Sequence, residues 1–531
     1  MKRVIALILV LCFIGCALMA CGNNKGKQTG SSSSSTSTSP TKNTNKYGEE
    51  EVLGDYWEDV KFEGQALNVL VRDDYKVSRE WEQEDPNDID GFGVAIDARN
   101  QAVEGDLQLD VRVTFEGGAT AGEFGEEIMS IVRSDVEEQM NAYDIVACYG
   151  YLALQSQHRD VWANLLDQDL FPYFDFSLKC WNQALVENSA VNGKMYLCAG
   201  DFNISMYDSS MILWHNKDLY EELLVKTGDK ESPKDIQDTV ISGNWTYAQL
   251  YRWAAYSETR DIDDNTRNVY GLYMQGEMNP PQPFDVFPFA WDLQLMKKNE
   301  QTGTFEYNFI GNTKANEAME NLRKLYSEKG TVTETQVRPT FPSGLVLFYG
   351  DVIWFNESSN IARREMKDRF SILPWPKYDE EQTFYASTSQ DYFTTMAVID
   401  HSNSPIPTKG EEISAYLQYA TEYSYTNVRL FYFKEIVEQK FFGQFADGTT
   451  KKSIAIFNTI IDSLQYDFAT IYAHSLGTPL MTCWRYNVLL ERATGNKELG
   501  TISVSEKFAN NRATYEKNLV NLYQWFGVTV S

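Results

Sequence analysis

The chain has 531 residues, enough for a large core and for more than one domain. Its formal charge of −28, from 47 Lys+Arg against 75 Asp+Glu, argues against nucleic acid as a partner, because phosphate backbones are held by cationic neutralisation. At 43% hydrophobic and 14% aromatic residues it reads as a soluble globular body, and its 12 Trp and 31 Tyr supply flat apolar faces with a polar handle.

The chain opens with Lys2 and Arg3, an apolar run from Val4 to Leu18, and Leu18-Met19-Ala20-Cys21. Residues 1–20 read as a secretory signal, too short for an ordinary membrane span. Leu18-Met19-Ala20-Cys21 resembles a bacterial lipobox, which implies cleavage before Cys21 and a diacylglycerol on its sulfur. Gly22 to Lys46, with Ser31 to Ser35 and almost nothing apolar, reads as a flexible tether within a linker region of residues 21–60. Random-coil scaling gives it a reach of roughly 25–30 Å. The expected location is the extracellular face of a bacterial membrane of the Gram-positive kind, through a lipid anchor.

From Gln65 an apolar strand runs to a polar turn at Arg72 to Tyr75. A helix over Asp97–Glu104, an alternating strand over Leu107–Phe115, a helix over Phe124–Met140 and a strand over Tyr143–Cys148 follow. Strand and helix alternating in this way predict a parallel sheet covered by helices, an α/β fold. In such sheets ligands meet the loops at the carboxyl ends of strands, which selects Asp73, Asp74 and Tyr75, and Tyr149, Gly150 and Tyr151. Turn capping and loop packing explain the same residues without a ligand.

Asn192-Gly193 leads into a short strand at Met195–Leu197, then a polar run from Ala199 to Ser210, a second strand at Met211–Trp214 and a helix capped by Asn216. Two strands joined by a polar run read as a hinge between lobes or as an ordinary sheet crossover, and the local pattern leaves both open. Further helices are expected at Asn244–Tyr256, Asn316–Glu328, Glu411–Tyr423 and Phe508–Phe526. Further strands are expected at Tyr270–Met274, Leu345–Asp351, Phe370–Pro376 and Phe393–Ile399, and a Pro- and aromatic-rich loop at 279–291.

There is no P-loop, no H-E-x-x-H and no G-x-S-x-G, and His158, His215, His401 and His474 are scattered. No cofactor or metal is expected. The oxygen-rich Asp261–Asn265 stretch reads as a solvated loop before it reads as a cation site. Cys148, Cys180, Cys198 and Cys483 permit three pairings, and buried thiols are the expectation.

Several stretches, taken in order behind the lipobox, resemble bacterial extracellular solute-binding lipoproteins of the sugar-uptake type. They are Asp97-Ala98-Arg99-Asn100, Tyr143 to Val146, Phe174-Asp175-Phe176 before Trp181-Asn182, Asn192 to Tyr196, Gly200-Asp201, Trp214 to Leu219 and Gly243 to Thr246. Phe341 with Gly344, Gly350-Asp351, and Asp368 to Phe370 with Leu373 to Pro376 complete the set. The resemblance implies a two-lobed periplasmic-binding-protein-like fold of type II. The expected first lobe comprises residues 61–205 with 345–405, and the second 206–344 with 406–531. The chain is expected to cross near 200–210, 340–350 and 400–410.

It also implies a monomeric, non-catalytic receptor that closes on a carbohydrate between its lobes and passes it to the permease subunits of an ABC transporter. A surface carbohydrate-active enzyme, and a sensory or adhesive lipoprotein on the same fold, are the alternatives. The implied ligand set is Asp73, Tyr149 and Tyr151 from the first lobe and Asp201 and Asp208 at the hinge. Phe289, Trp291, Gly350, Asp351, Trp484 and Arg485 complete it, with Trp484 as the stacking platform.

Overall fold

The computed structural model describes residues 55–74, 79–82, 91–117, 126–260, 267–274, 283–333, 341–353, 366–441, 449–487 and 502–529. The signal, Cys21, the tether and Asp261–Asn265 lie outside this set. Among the described residues twelve strands follow in chain order: β1 (Gln65–Arg72), β2 (Leu109–Glu116), β3 (Ile145–Tyr149), β4 (Met211–Asn216), β5 (Ser257–Glu258), β6 (Val269–Met274), β7 (Met296–Lys298), β8 (Phe305–Tyr307), β9 (Thr331–Thr333), β10 (Val346–Val352), β11 (Phe370–Leu373) and β12 (Thr394–Val398).

One sheet has the order β12-β3-β1-β2, with β1 parallel to both neighbours and β12 antiparallel to β3. Its parallel part arises as the alternation predicts, through the connecting helices Phe92–Leu107 and Glu126–Glu137. The second helix buries Ile128, Met129 and Val132, one apolar stripe at helical spacing. The sheet is covered on both faces. Leu67, Val69 and Val71 enter one apolar core, and Leu70, Val146 and Cys148 enter the other.

A second sheet has the order β11-β4-β10-β6-β5, with β9 also on β6. β4 is buried at all six positions, the signature of a central strand covered on both faces. The helix Lys217–Thr227 starts where expected. Asn216 Oδ1 accepts from Leu219 N–H at 2.9 Å, and Gly228 closes the helix at φ 65°. Thr246 and Gln249 form a capping box at the head of the helix Tyr247–Ala254.

Four sequence expectations change. Met195–Leu197 makes no strand, and its surroundings hold only isolated bridges, Val191↔Lys194 and Cys198↔Met396. Residues 346–352 and 370–373, grouped by sequence with 61–205, instead hydrogen-bond in the second sheet, both in company with β4. The chain therefore returns to the first sheet between Leu373 and Thr394, not near 340–350. It leaves again only after the helix Gly410–Tyr423, not near 400–410, because that helix packs on Phe92–Leu107, whereas the later helix Thr449–Asp462 packs on β11.

Candidate functional site

The two passages between sheets run side by side. Ser210 and Ser389 form an antiparallel bridge. Met211 N–H donates to Thr388 O at 3.0 Å, and Gln390 N–H to Ser209 O at 2.8 Å. Ser387 Oγ donates to Met211 O and Ser389 Oγ to Met206 O, both at 2.7 Å. A polar sequence suits this place because each hydroxyl satisfies a buried backbone carbonyl where the ladder is interrupted. The bridged pair is thus a double connection between the sheets.

On the first-sheet side, the carboxyl ends of β1 and β3 meet the residues that enter β12. Arg72 is buried with its guanidinium carbon 4.8 Å from the ring centroids of both Tyr149 and Tyr392. Its Nη2 donates to Tyr392 O at 2.7 Å. Tyr149 Oη donates to Asp391 Oδ1 at 2.6 Å, and Tyr392 Oη donates to Asp74. Burial pushes the Asp391 carboxyl up to about 7, against the opposing pull of the Tyr149 hydroxyl and Arg72. Tyr151 follows β3 and packs edge-on against Phe393, with centroids 5.8 Å apart. Arg72 Nε, Arg72 Nη1 and Tyr151 Oη are buried without a hydrogen-bond partner.

Two ion pairs fasten the passage 201–210. Arg79 Nη2 lies 2.6 Å from Asp208 Oδ2, and Tyr432 Oη also donates to Asp208. Asp201 lies 3.3 Å from Arg429 Nε and accepts from Tyr207 Oη at 2.5 Å. Burial raises the Asp201 carboxyl to about 6, opposed by Arg429 and the Tyr207 hydroxyl. Glu80, fully buried, accepts from Ser205 N–H and is raised to about 7 by burial, with the Ser205 hydrogen bonds opposing.

On the second-sheet side, Ile353 N–H donates to Ser210 O at 3.2 Å, which sets the end of β10 against the double connection. Gly350 lies under Trp375. A Cβ there would stand 2.9 Å from Trp375 Cη2, so no larger residue fits without displacement. Trp375 continues through Phe287 to Trp291, with ring centroids 5.1 and 4.6 Å apart.

The implied ligand residues therefore divide. Tyr149, Tyr151, Asp208 and Asp351 sit around the double connection and the strand ends that meet it. Asp73 is exposed, and its N–H closes the turn onto Gly117 O at 3.0 Å. Asp201 is a buried partner of Arg429. Phe289, Trp291 and Trp484 belong to the core, and Trp484 is only 1% exposed. Arg485 is buried and ion-paired with Asp285, Nε donating to Oδ1 at 2.9 Å. Sequence reasoning passed over Arg72, Arg79, Asp391, Tyr392 and Tyr432. The available signal was Asp391-Tyr392 immediately before a strand, informative only once that strand is known to run antiparallel to β3.

The four described cysteines are free and buried, and burial raises all four thiols. Among the described residues no group of three or more His, Cys, Asp or Glu is arranged to hold a metal ion. A separate groove of about 730 Å³ lined by Tyr173, Phe174, Phe176 and Glu422 shares none of the residues above.

No protein-family model matches the sequence, and no curated protein does. Solved structures do match. An uncharacterised protein of Listeria monocytogenes gives a TM-score of 0.50 at 10% identity, over 86% of this chain and 100% of its own. The GacH receptor of Streptomyces glaucescens, solved unliganded and with acarbose and an acarbose homolog, gives 0.47 at 15% identity over 86% and 98%. The galacto-N-biose/lacto-N-biose I-binding protein of a Bifidobacterium longum ABC transporter, in complex with lacto-N-biose, gives 0.46 at 14% over 88% and 99%. The likeness is one of fold: mixed α/β, with sheets flanked by helices.

Proposed function

We propose that this protein is a membrane-tethered extracellular solute receptor that captures a carbohydrate between two lobes and delivers it to an ABC permease. The observation that carries this reading is the double connection at Ser210 and Ser389, beside which buried Arg72 and Tyr151 keep polar atoms without partners. The lobes in this reading follow the sheets: residues 61–205 with 394–423, and 206–373 with the chain beyond 423.

Closure about two adjacent connections needs small backbone rotations in few residues, as hinge closure does elsewhere. Closing would bring the Tyr149 and Tyr392 side toward the Asp351 side and strip water from sugar hydroxyls, which then demand protein partners. The sugar-binding neighbours support a carbohydrate as the ligand, and the Leu18 to Cys21 sequence supports the anchor. The reading is capture without turnover.

Isothermal titration of the secreted body against neutral oligosaccharides, with chromatography of the glycan afterwards, tests the reading. Binding with the glycan recovered intact is expected. Cleaved product, or no binding across the panel, overturns it. For the anchor, Cys21→Ser should move the protein from the membrane fraction to the medium, and continued membrane retention would exclude lipidation there.

A further inference from the structure

The base of the cleft carries a charge arrangement that selects among carbohydrates. Arg72 is its buried cation, with the rings of Tyr149 and Tyr392 each centred 4.8 Å from its guanidinium carbon and only 5.9 Å from each other, so that both cover it from one side. Its Nε and Nη1 are buried without protein partners. The two tyrosines that cover it are themselves held by carboxyl groups, Tyr149 by Asp391 and Tyr392 by Asp74. One cation is thus flanked by two carboxyl groups, and Asp73 adds a third at the exposed turn.

The other cations of the passage are already matched, Arg79 with Asp208 and Arg429 with Asp201. A ligand carboxylate at Arg72 would stand beside Asp74 and, above the Asp391 titration at about 7, beside a second carboxylate. Like charges in a site of low dielectric repel strongly, so an acidic group is rejected here although a guanidinium is present. What remains unsatisfied is suited to alcohols. Arg72 supplies donors only, and the Tyr151 hydroxyl supplies a donor and an acceptor. Tyr151 is buried and lies in the electrostatic reach of Asp391, Tyr466 and Asp467, so its hydroxyl faces the same acidic surroundings.

We propose that Arg72 and Tyr151 form a subsite for the hydroxyls of a neutral sugar residue and that this site excludes uronic and other acidic sugars. The proposal rests on the carbohydrate-receptor reading and names the ligand class within it.

The test is titration calorimetry on the secreted body with cellotriose, maltotriose, mannotriose and galactotriose against trigalacturonic acid. At least one neutral trisaccharide should bind, and trigalacturonic acid should bind at least 100-fold more weakly or not at all. Tyr151→Phe removes only a hydroxyl that has no protein partner, so it should keep the melting temperature and lose about ten-fold in affinity for the neutral sugar. Arg72→Met should lose more affinity, and Arg72→Lys should recover part of it. Binding of trigalacturonic acid equal to or tighter than the neutral sugars would overturn the proposed selectivity while leaving the receptor reading intact. Unchanged affinity in Tyr151→Phe would remove the subsite. Failure of every sugar would overturn the receptor reading and this one with it.

Discussion

Asp208 of the passage between sheets and Arg79 of the first-sheet side form an ion pair of 2.6 Å, with side chains 5% and 16% exposed. Tyr432, from the segment following the helix Gly410–Tyr423, donates to the same carboxylate. Three separated parts of the chain therefore meet on one buried charge. Removing one partner of such a pair leaves the other uncompensated, which costs about 3–5 kcal/mol in buried settings. Asp208→Ala is expected to lose stability at the low end of that range, because Arg79 keeps some solvent contact. Urea unfolding of the variant measures it, and a loss under about 1 kcal/mol would show that the pair is solvated.

Gly200 sets how closely the start of the passage can approach its neighbours. An added Cβ would lie 2.3 Å from Cys180 O, 2.9 Å from Thr421 Cγ2 and 3.1 Å from Trp181 Cε3. The backbone carbonyl cannot yield without moving the Trp181↔Gly200 bridge. Gly200→Ala should therefore destabilise by about 1–3 kcal/mol, the range for overpacking. Equal melting temperatures for variant and wild type would refute the close approach.

Glu80 and His215 predict pH effects of opposite sign. The folded Glu80 carboxyl titrates at about 7 rather than 4.5, so between those values the native state holds more protons than the unfolded chain. Stability from this group is present below 4.5 and declines as pH rises through 7. Glu80→Gln keeps an acceptor for Ser205 N–H and removes the titration. Its melting temperature relative to wild type should rise from pH 5 to pH 8. A constant difference across that window would mean that Glu80 titrates normally.

His215 is buried, stacked on Phe348 with centroids 5.3 Å apart, and lies 3.2 Å from Ser371 Oγ through Nδ1. Burial, with Lys217 nearby, lowers its pKa from 6.5 to about 3. Here the unfolded chain binds the extra proton, so stability falls as pH drops from 6.5 toward 3. His215→Phe should flatten that acid limb, at a cost of about 1 kcal/mol near pH 7 for the lost hydrogen bond. Acid unfolding curves of the two proteins that remain parallel would exclude the contribution.

Much of the architecture was legible in the sequence, for a physical reason. β1, β4 and the helix Lys217–Thr227 are specified by local signals: continuous apolar runs and an Asn cap whose hydrogen bond forms as expected. What local pattern does not contain is which strands pair. β10 and β11 have the same apolar character in either sheet, and only their register with β4 assigns them. The site shows the same division. Tyr149 and Tyr151 follow from the rule about strand ends. Asp391 and Tyr392 reach Arg72 across some 320 residues of sequence, a separation over which no periodicity carries information.

Trp484 shows the converse, a residue whose motif position suggested a ligand platform and whose surroundings are core. It is 1% exposed and packs in one apolar cluster with Cys483, Phe508 and Tyr515. Truncating a buried aromatic removes its transfer energy and leaves a cavity, together about 3–5 kcal/mol. Trp484→Ala should therefore lower the melting temperature sharply, and any fall in glycan affinity should track the folded fraction. Chemical denaturation and titration on the same preparation separate the two. If affinity falls more than ten-fold in protein that is fully folded at the titration temperature, the indole contacts the sugar in the closed state and the core assignment fails.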